Sequence, residues 1–389
     1  MAELSPALPA PAFDIEGWRS QIPLISACVP MNNCSQAPQT HATRAAADRY
    51  LDHWNGVGMD WDAWMTEVSL AKAEFARLIH ASPDEIAVFG SVSEATSAVA
   101  SAIDFSRGRS RVVVTEAEFP TVGHVWLAQE ARGARVAWVP VHDGEIHLES
   151  YDNVVDDHTA IVSACHGYYL NGFVQETRAI ADRTHAHGAL LYVDAYQTLG
   201  TMPIDVRALG VDFLVAGNLK FLMGIPGIAF LYVRRDVIET LTPTVTGWFG
   251  RANPFAFQVR ELDWSPTASR FDAGTPPIVN AFVARAGMRM INDIGPARIR
   301  AWLETLGQRL VDGGRARGLT IHGTIDMTRK TSTTAFVVND SHGVELAMRA
   351  RRVLPSARGP VVRLAPHFYT TFDDVDTALD TLAAVLARA

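Results

Sequence analysis

The chain has 389 residues, 48% of them apolar and 20% charged, with a net charge of −8, the make-up of a globular protein with a sizeable buried core. The acidic balance argues against a nucleic-acid partner, which calls for a basic face, and no apolar run approaches the ~20 residues of a membrane span. Cys28, Cys34 and Cys165 form neither a CxxC pair nor an even disulfide set, so a cytoplasmic location is expected.

The opening stretch, MAELSPALPAPAFDIEGW, lacks the basic flank and apolar centre of a signal peptide and reads as a Pro/Ala-rich lead over residues 1–25. DWDAWMTEVSLAKAEFARLIHA repeats apolar residues at three- and four-residue spacing, as an amphipathic helix does. An apolar segment ending at Phe89-Gly90 then passes through Ser91 into a small-residue helix, SEATSAVASAI. Short apolar runs come next: RVVVTEAEF, RVAWVPV, TAIVSACHG, ALLYVDAY, VDFLVAGN and GIAFLYV. Helical text such as ETRAIADRTHAHG, with Gly188 near its end, separates several of them, predicting parallel βαβ units. GIAFLYV comes after VDFLVAGN too soon for a helical crossover and is expected to run antiparallel. After the long helix PARIRAWLETLGQRLVDGGRARG the rhythm changes to an α+β pattern, closing on the helix DVDTALDTLAAVLARA. The expected division is a large domain over 26–285 and a small α+β domain over 286–389.

In an open parallel sheet, ligands bind beyond the carboxyl ends of the strands. The residues just past each strand are therefore informative: Glu118-Phe119-Pro120-Thr121, then His166 with Asn171-Gly172, then Asp194 with Gln197, then Asn218 and Lys220. Taken alone, Asp194 is a turn cap, Phe119 a core residue and Lys220 a solvated lysine. Together they suit pyridoxal 5′-phosphate (PLP): an acid that keeps a pyridinium nitrogen protonated, an aromatic that stacks on the ring, and a lysine that forms a Schiff base. Of 34 basic side chains only Lys72, Lys220 and Lys330 are lysines. Lys72 lies in an amphipathic helix and Lys330 in a polar TRKTST turn, so both are expected at the surface. Lys220, flanked by Leu219, Phe221, Leu222 and Met223, is expected to be desolvated with a lowered pKa. The start of the SEATSAVAS helix offers free N–H groups and a favourable dipole to a phosphate, although Ser91 or Ser93 also reads as a plain N-cap. Arg363, inside the apolar strand text VVRLA, calls for an anion, either a substrate carboxylate held by its planar fork or a structural acid.

These motifs resemble the class V aminotransferase group of fold-type I PLP enzymes, which includes cysteine desulfurases, selenocysteine lyases, kynureninases and isopenicillin N epimerase. The likeness runs from about Asn32 to the C-terminus and is most specific over YVDAYQTLGTMPIDVRALGVDFLVAGNLKFLMGIPGIAFLYV. It implies a mainly parallel seven-stranded α/β sheet with a smaller α+β C-terminal domain. It further implies Lys220 as the Schiff-base lysine and general base, Asp194 on the pyridine nitrogen, Gln197 near the ring hydroxyl, and Ser93 with the Val92 backbone on the phosphate. Phe119 in EFPT would stack on the ring. Arg363 would hold the substrate α-carboxylate. By position alone, Asn171 and Asn218 past their strands join this cofactor set, and Asn33 in PMNNCSQAP is a candidate for the substrate mouth, although Asn-rich turns are more often only turns. FDAGTPP resembles a loop that crosses a homodimer interface, so that Thr275 would reach the partner's phosphate.

Departures from the family shape the expected reaction. The segment RRVLPSARGPVVRL contains no cysteine ahead of Arg363, which disfavours a desulfurase. Leu219 stands before the lysine where many relatives carry His or Tyr. EFPT, GWFG and RLAPHFY lean toward kynureninase-like members, whereas AYQ after Asp194 does not. The expectation is a β-position lyase or kynureninase-like cleavage of C–C or C–S bonds, with aminotransferase or epimerase as the alternative and a non-catalytic PLP-binding protein as the distant one. A nucleotide-dependent oxidoreductase lacks its GxGxxG. His185 and His187, two apart, cannot share a metal from one helix face, so no metal site is expected. Cys34, His124 and Trp248 are further candidates for the pocket wall.

Overall fold

The computed structural model describes residues 10–106 and 108–387. Its centre is a seven-stranded sheet built from β1 (Ile86–Phe89), β2 (Arg111–Thr115), β3 (Arg135–Val139), β4 (Thr159–Cys165), β5 (Leu190–Asp194), β6 (Phe213–Gly217) and β7 (Ala229–Val233). The strand order is β1-β7-β6-β5-β4-β2-β3. Only β7 runs against the rest, antiparallel to both β6 and β1, as its short connection from β6 requires.

Alternation along each strand divides the core in two. Val113, Val162, Leu191, Val193, Leu214 and Phe230 face one hydrophobic cluster, while Val112, Val114, Ile161, Tyr192, Phe213 and Leu231 face the other. Residues of both sets are buried, so these strands read as nearly continuous apolar runs rather than alternating ones. The first face is covered by α1 (His41–Val57), α2 (Trp61–Leu78) and α6 (Ile278–Ile294). The second is covered by α3 (Val92–Ala102) and α4 (Pro120–Ala128). α5 (Thr177–Ala186) links β4 to β5, and its chain reverses through Gly188 at φ 66°, a left-handed conformation that glycine adopts without strain.

The C-terminal part carries a four-stranded antiparallel sheet of order β10-β11-β9-β8, formed by β8 (Ile321–His322), β9 (Thr334–Val337), β10 (Ser356–Arg358) and β11 (Val361–Leu364). It packs with α7 (Pro296–Ala316), α8 (Ser341–Arg349) and α9 (Phe372–Leu386). α6 runs unbroken through 285–286, and the chain turns into α7 at Gly295, φ 93°. The described part of the N-terminal lead is folded onto this unit. Val29–Pro30 pairs in parallel with Val353–Leu354, Arg19 pairs with Asp374 at 2.7 Å, and Trp18 meets Phe368 edge to face. Residues 1–9 of the lead lie outside the described residues. No helix among the described residues is long and apolar enough to cross a membrane.

Candidate active site

The carboxyl ends of β2, β4, β5 and β6 open onto one cavity of about 390 Å³, closed from the other side by β10, β11 and the chain near Ser35. The sequence-predicted residues Lys220, Asp194, Gln197, Ser93, Val92, Phe119 and Arg363 all line it.

Asp194 ends β5 and is 6% exposed. Burial raises its carboxyl above the ordinary range, while the Tyr196 N–H, donated to Oδ1 at 2.8 Å, and the Lys220 charge pull it down. Behind it lies a second buried acid, Glu118, whose Oε1 accepts from Ser163 at 3.3 Å and whose Oε2 has no partner. Burial and the Asp194 charge hold the Glu118 carboxyl well above its usual range. Two adjacent buried carboxylates do not both ionise readily, and the Lys220 charge favours the ionised form at Asp194 rather than at Glu118.

Lys220 leaves β6 with its ammonium 4.0 Å from the Tyr196 ring centroid and 5.6 Å from that of Phe119. Burial lowers its pKa to about 8 against the opposing pull of Asp194, with Arg363 and Arg358 lowering it further. Phe119 is 40% exposed to the cavity mouth and meets the Tyr169 edge at 5.3 Å. At one wall, Ser91 caps α3 by accepting the Glu94 N–H, and Ser93 Oγ shares a hydrogen bond of 2.7 Å with Thr121. At the floor, Gln197 Nε2 donates to the Cys34 carbonyl at 3.1 Å.

Arg363 is 1% exposed and, among the described residues, pairs with no carboxylate. Nη1 donates to the Tyr169 carbonyl, Nη2 to the Ser356 and Ser35 hydroxyls, and Nε to the Ser356 carbonyl. Four of the five guanidinium N–H groups are therefore engaged by neutral acceptors. One Nη1 hydrogen remains for a ligand, in place of the expected bidentate fork. The charge itself is fixed by neutral groups and left for an anion in the cavity.

The three asparagines and Thr275 are not brought to this cavity. Asn33 is buried, donating to the Ala365 carbonyl and accepting from the Tyr369 hydroxyl. Asn171 ties the Gly144 carbonyl and the Phe173 N–H. Asn218 is fully buried under Gly224, where an added Cβ would come 1.6 Å from Asn218 Oδ1. The amides of Asn33 and Asn171 are thus taken up by backbone groups, whereas both polar atoms of the Asn218 amide are buried without a partner among the described residues. Thr275 is exposed on the loop between Phe271 and Ile278. His124 is exposed, and Trp248 sits in a separate cluster with Trp61, Phe249 and Phe255.

The lysine expectations also need correction. Lys330 is wholly buried, donating to the carbonyls of Asn171 and Thr333, and burial lowers its pKa to about 7. The polar TRKTST text hid this because its hydroxyls fold inward beside β9. Lys72 pairs with Asp272 at 3.0 Å and is only 13% exposed in its side chain. Neither lines the cavity. Among the described residues no group of three or more His, Cys, Asp or Glu side chains could hold a metal; His185 and His187 pair with Asp212 and Asp157 instead.

Sequence reasoning placed Thr121 at this edge but missed Tyr169, Tyr196, Ser35 and Arg358, which share the wall. Tyr196 was within reach, two residues after Asp194. Arg358 needed the register of β10 with β11, which no spacing in the sequence reveals.

The profile of the family described as Aminotransferase class-V matches residues 33–352. The chain belongs to this family. It is 35% identical over 371 residues to the uncharacterized aminotransferase YcbU of Bacillus subtilis, covering 95% of this chain and 97% of that one. It is 26% identical to the kynureninase of Pseudomonas fluorescens, covering 92% of this chain and 88% of that protein. A cysteine desulfurase structure from Thermococcus onnurineus superposes with a TM-score of 0.88 at 22% identity, over 98% of this chain and all of that one. The fold is accordingly fold-type I, and the cofactor is PLP. The residues present fit it: an anion-binding helix start, a buried carboxylate at the cavity floor, and a lysine of lowered pKa on one cavity.

Proposed function

We propose that this class V PLP enzyme moves the α-proton of an amino acid through Lys220, and that the reaction is cleavage at the β position, of lyase or kynureninase-like type. The convergence of the Lys220 amine, the Asp194 carboxylate and the Arg363 guanidinium on one cavity carries the reading. Bound PLP supplies the electron sink for charge left on the α-carbon. Asp194 holds the proton of the ring nitrogen. The α3 N-terminus and Ser93 hold the phosphate, joined across a homodimer by the partner subunit's Thr275. Lys220, with its pKa brought to about 8, is in part a free amine at neutral pH and takes the α-proton as general base. Arg363 orients the substrate through its α-carboxylate. Phe119 and Tyr169 supply an apolar wall that excludes water from the proton transfer.

The cleavage reading is supported by Phe119, which offers no acid or base beside Lys220, and by the kynureninase relative. The absence of cysteine between residues 350 and 363 weighs against persulfide chemistry. Transamination is the second reading, favoured by the 35% identity to YcbU, named an aminotransferase. The test is incubation with a panel of amino acids, with and without pyruvate, monitoring ammonia, sulfide, alanine and the enantiomer of the substrate. Ammonia or a β-fragment without any need for pyruvate is the expected outcome. Alanine formed only with pyruvate establishes transamination instead, and a racemised substrate establishes epimerisation.

A further inference from the structure

The cavity holds more positive charge than an α-carboxylate needs. Arg358 and Arg363 both line it. In the antiparallel pair of β10 with β11, Ser356 stands opposite Arg363 and Arg358 opposite Val361. Side chains alternate along a strand, so Ser356 and Arg358 share a face with Arg363. The two arginines are diagonal neighbours on that face, a relation that spaces backbones by roughly 7–8 Å. Their guanidinium groups differ in circumstance. Arg363 is buried and anchored by four neutral acceptors. Arg358 stands exposed at the mouth, donates only to the carbonyl of its neighbour Ala357, and forms no salt bridge among the described residues. Like charges side by side on one sheet face repel. Glu345 pulls on Arg363 from outside the cavity lining but is already paired with Arg349 at 2.9 Å, and Asp194 lies at the far floor beside Lys220.

We propose that Arg358 binds an anionic group on the substrate side chain, so that the substrate is an acidic α-amino acid whose two ends are held by Arg363 and Arg358. This rests on the reading of the cavity as a PLP amino-acid site. The anchored guanidinium fixes the α-carboxylate. The freer one, a side chain's length further toward solvent, meets the distal oxyanion. An uncharged or basic side chain would leave Arg358 unpaired or repelled, which gives discrimination as well as affinity.

The test is a titration of the holoenzyme, monitored by its visible absorption, with L-aspartate, L-glutamate, L-alanine and L-2,4-diaminobutyrate, repeated on Arg358→Gln and Arg358→Glu. The wild type is expected to bind one of the two acids at least about tenfold more tightly than alanine, the effect of one charge-assisted pair. Arg358→Gln collapses that ratio toward one, and Arg358→Glu inverts it in favour of L-2,4-diaminobutyrate. Equal affinities for acids and alanine in the wild type overturn the inference while leaving the amino-acid reading intact. Loss of acid and alanine binding alike in Arg358→Gln also overturns it, because Arg358 would then serve the α-carboxylate. A holoenzyme whose spectrum responds to no amino acid overturns both readings.

Discussion

The Lys220 ammonium sits 4.0 Å from the centroid of the Tyr196 ring, so the phenol face is its nearest aromatic partner, and Gly217 is what lets the ring lie there. A Cβ on Gly217 would come 2.2 Å from Tyr196 Cζ, well inside van der Waals contact. The ring face favours the charged amine by about 1 kcal/mol, equivalent to about 0.7 pH unit. Replacing Tyr196 with Leu is expected to lower the titration midpoint of Lys220 from about 8 by that amount. The pH dependence of amine modification at Lys220 in cofactor-free protein measures it. Gly217→Ala should reproduce part of the change by displacing the ring.

Glu118 offers a test through stability. Its folded pKa is raised above the ordinary 4.5 by burial and by Asp194. A raised carboxyl pKa contributes stability that is full below the unfolded value and is lost as pH rises through the folded one. Glu118→Gln keeps the shape without the titration. Its melting temperature relative to wild type is expected to be lower or equal near pH 4 and to gain steadily as pH rises above 4.5. Parallel melting curves at all pH values would show that Glu118 titrates alike in the folded and unfolded chains, contrary to its buried placement.

Lys330 gives the opposite sign. Burial lowers its folded pKa to about 7 from 10.5, so the folded state binds fewer protons across that window and stability rises with pH through it. Lys330→Met removes this slope. Thermal melts between pH 7 and 10 should show wild type gaining on the variant as pH increases, and a constant difference would contradict the buried placement.

Arg363→Lys is not a conservative change here, since one ammonium cannot reach the Tyr169 carbonyl and both the Ser35 and Ser356 hydroxyls as the guanidinium does. A charge-assisted contact contributes about 1.5–3 kcal/mol, so KM for the amino acid should rise by one to two orders of magnitude. Cofactor content, measured by absorbance, should stay near that of wild type.

Much of this architecture is legible in the chain. The β2, β4, β5 and β6 runs carry period-free apolar text ending in Phe119, Cys165, Asp194 or Lys220, and a parallel sheet collects such ends on one edge. The residues that mislead are those whose partners are distant in sequence. Asn33 and Asn171 look like ligand groups because they are amides at turns, yet Ala365 and Gly144 satisfy them. Lys330 looks solvated because its neighbours are hydroxylic, yet those neighbours are buried with it. Arg358 acquires meaning only from its diagonal to Arg363. Local text therefore reveals where chemistry gathers, and long-range pairing decides which polar groups are free to perform it.

The central claim is that Lys220, of three lysines, bears the cofactor. Borohydride reduction of the holoenzyme, then peptide mass mapping, tests it directly. A pyridoxyl-phosphate mass on the Lys220 peptide alone, with those of Lys72 and Lys330 unmodified, is the predicted result. The label on Lys330 or Lys72, or an unlabelled Lys220 in cofactor-replete protein, would contradict the account.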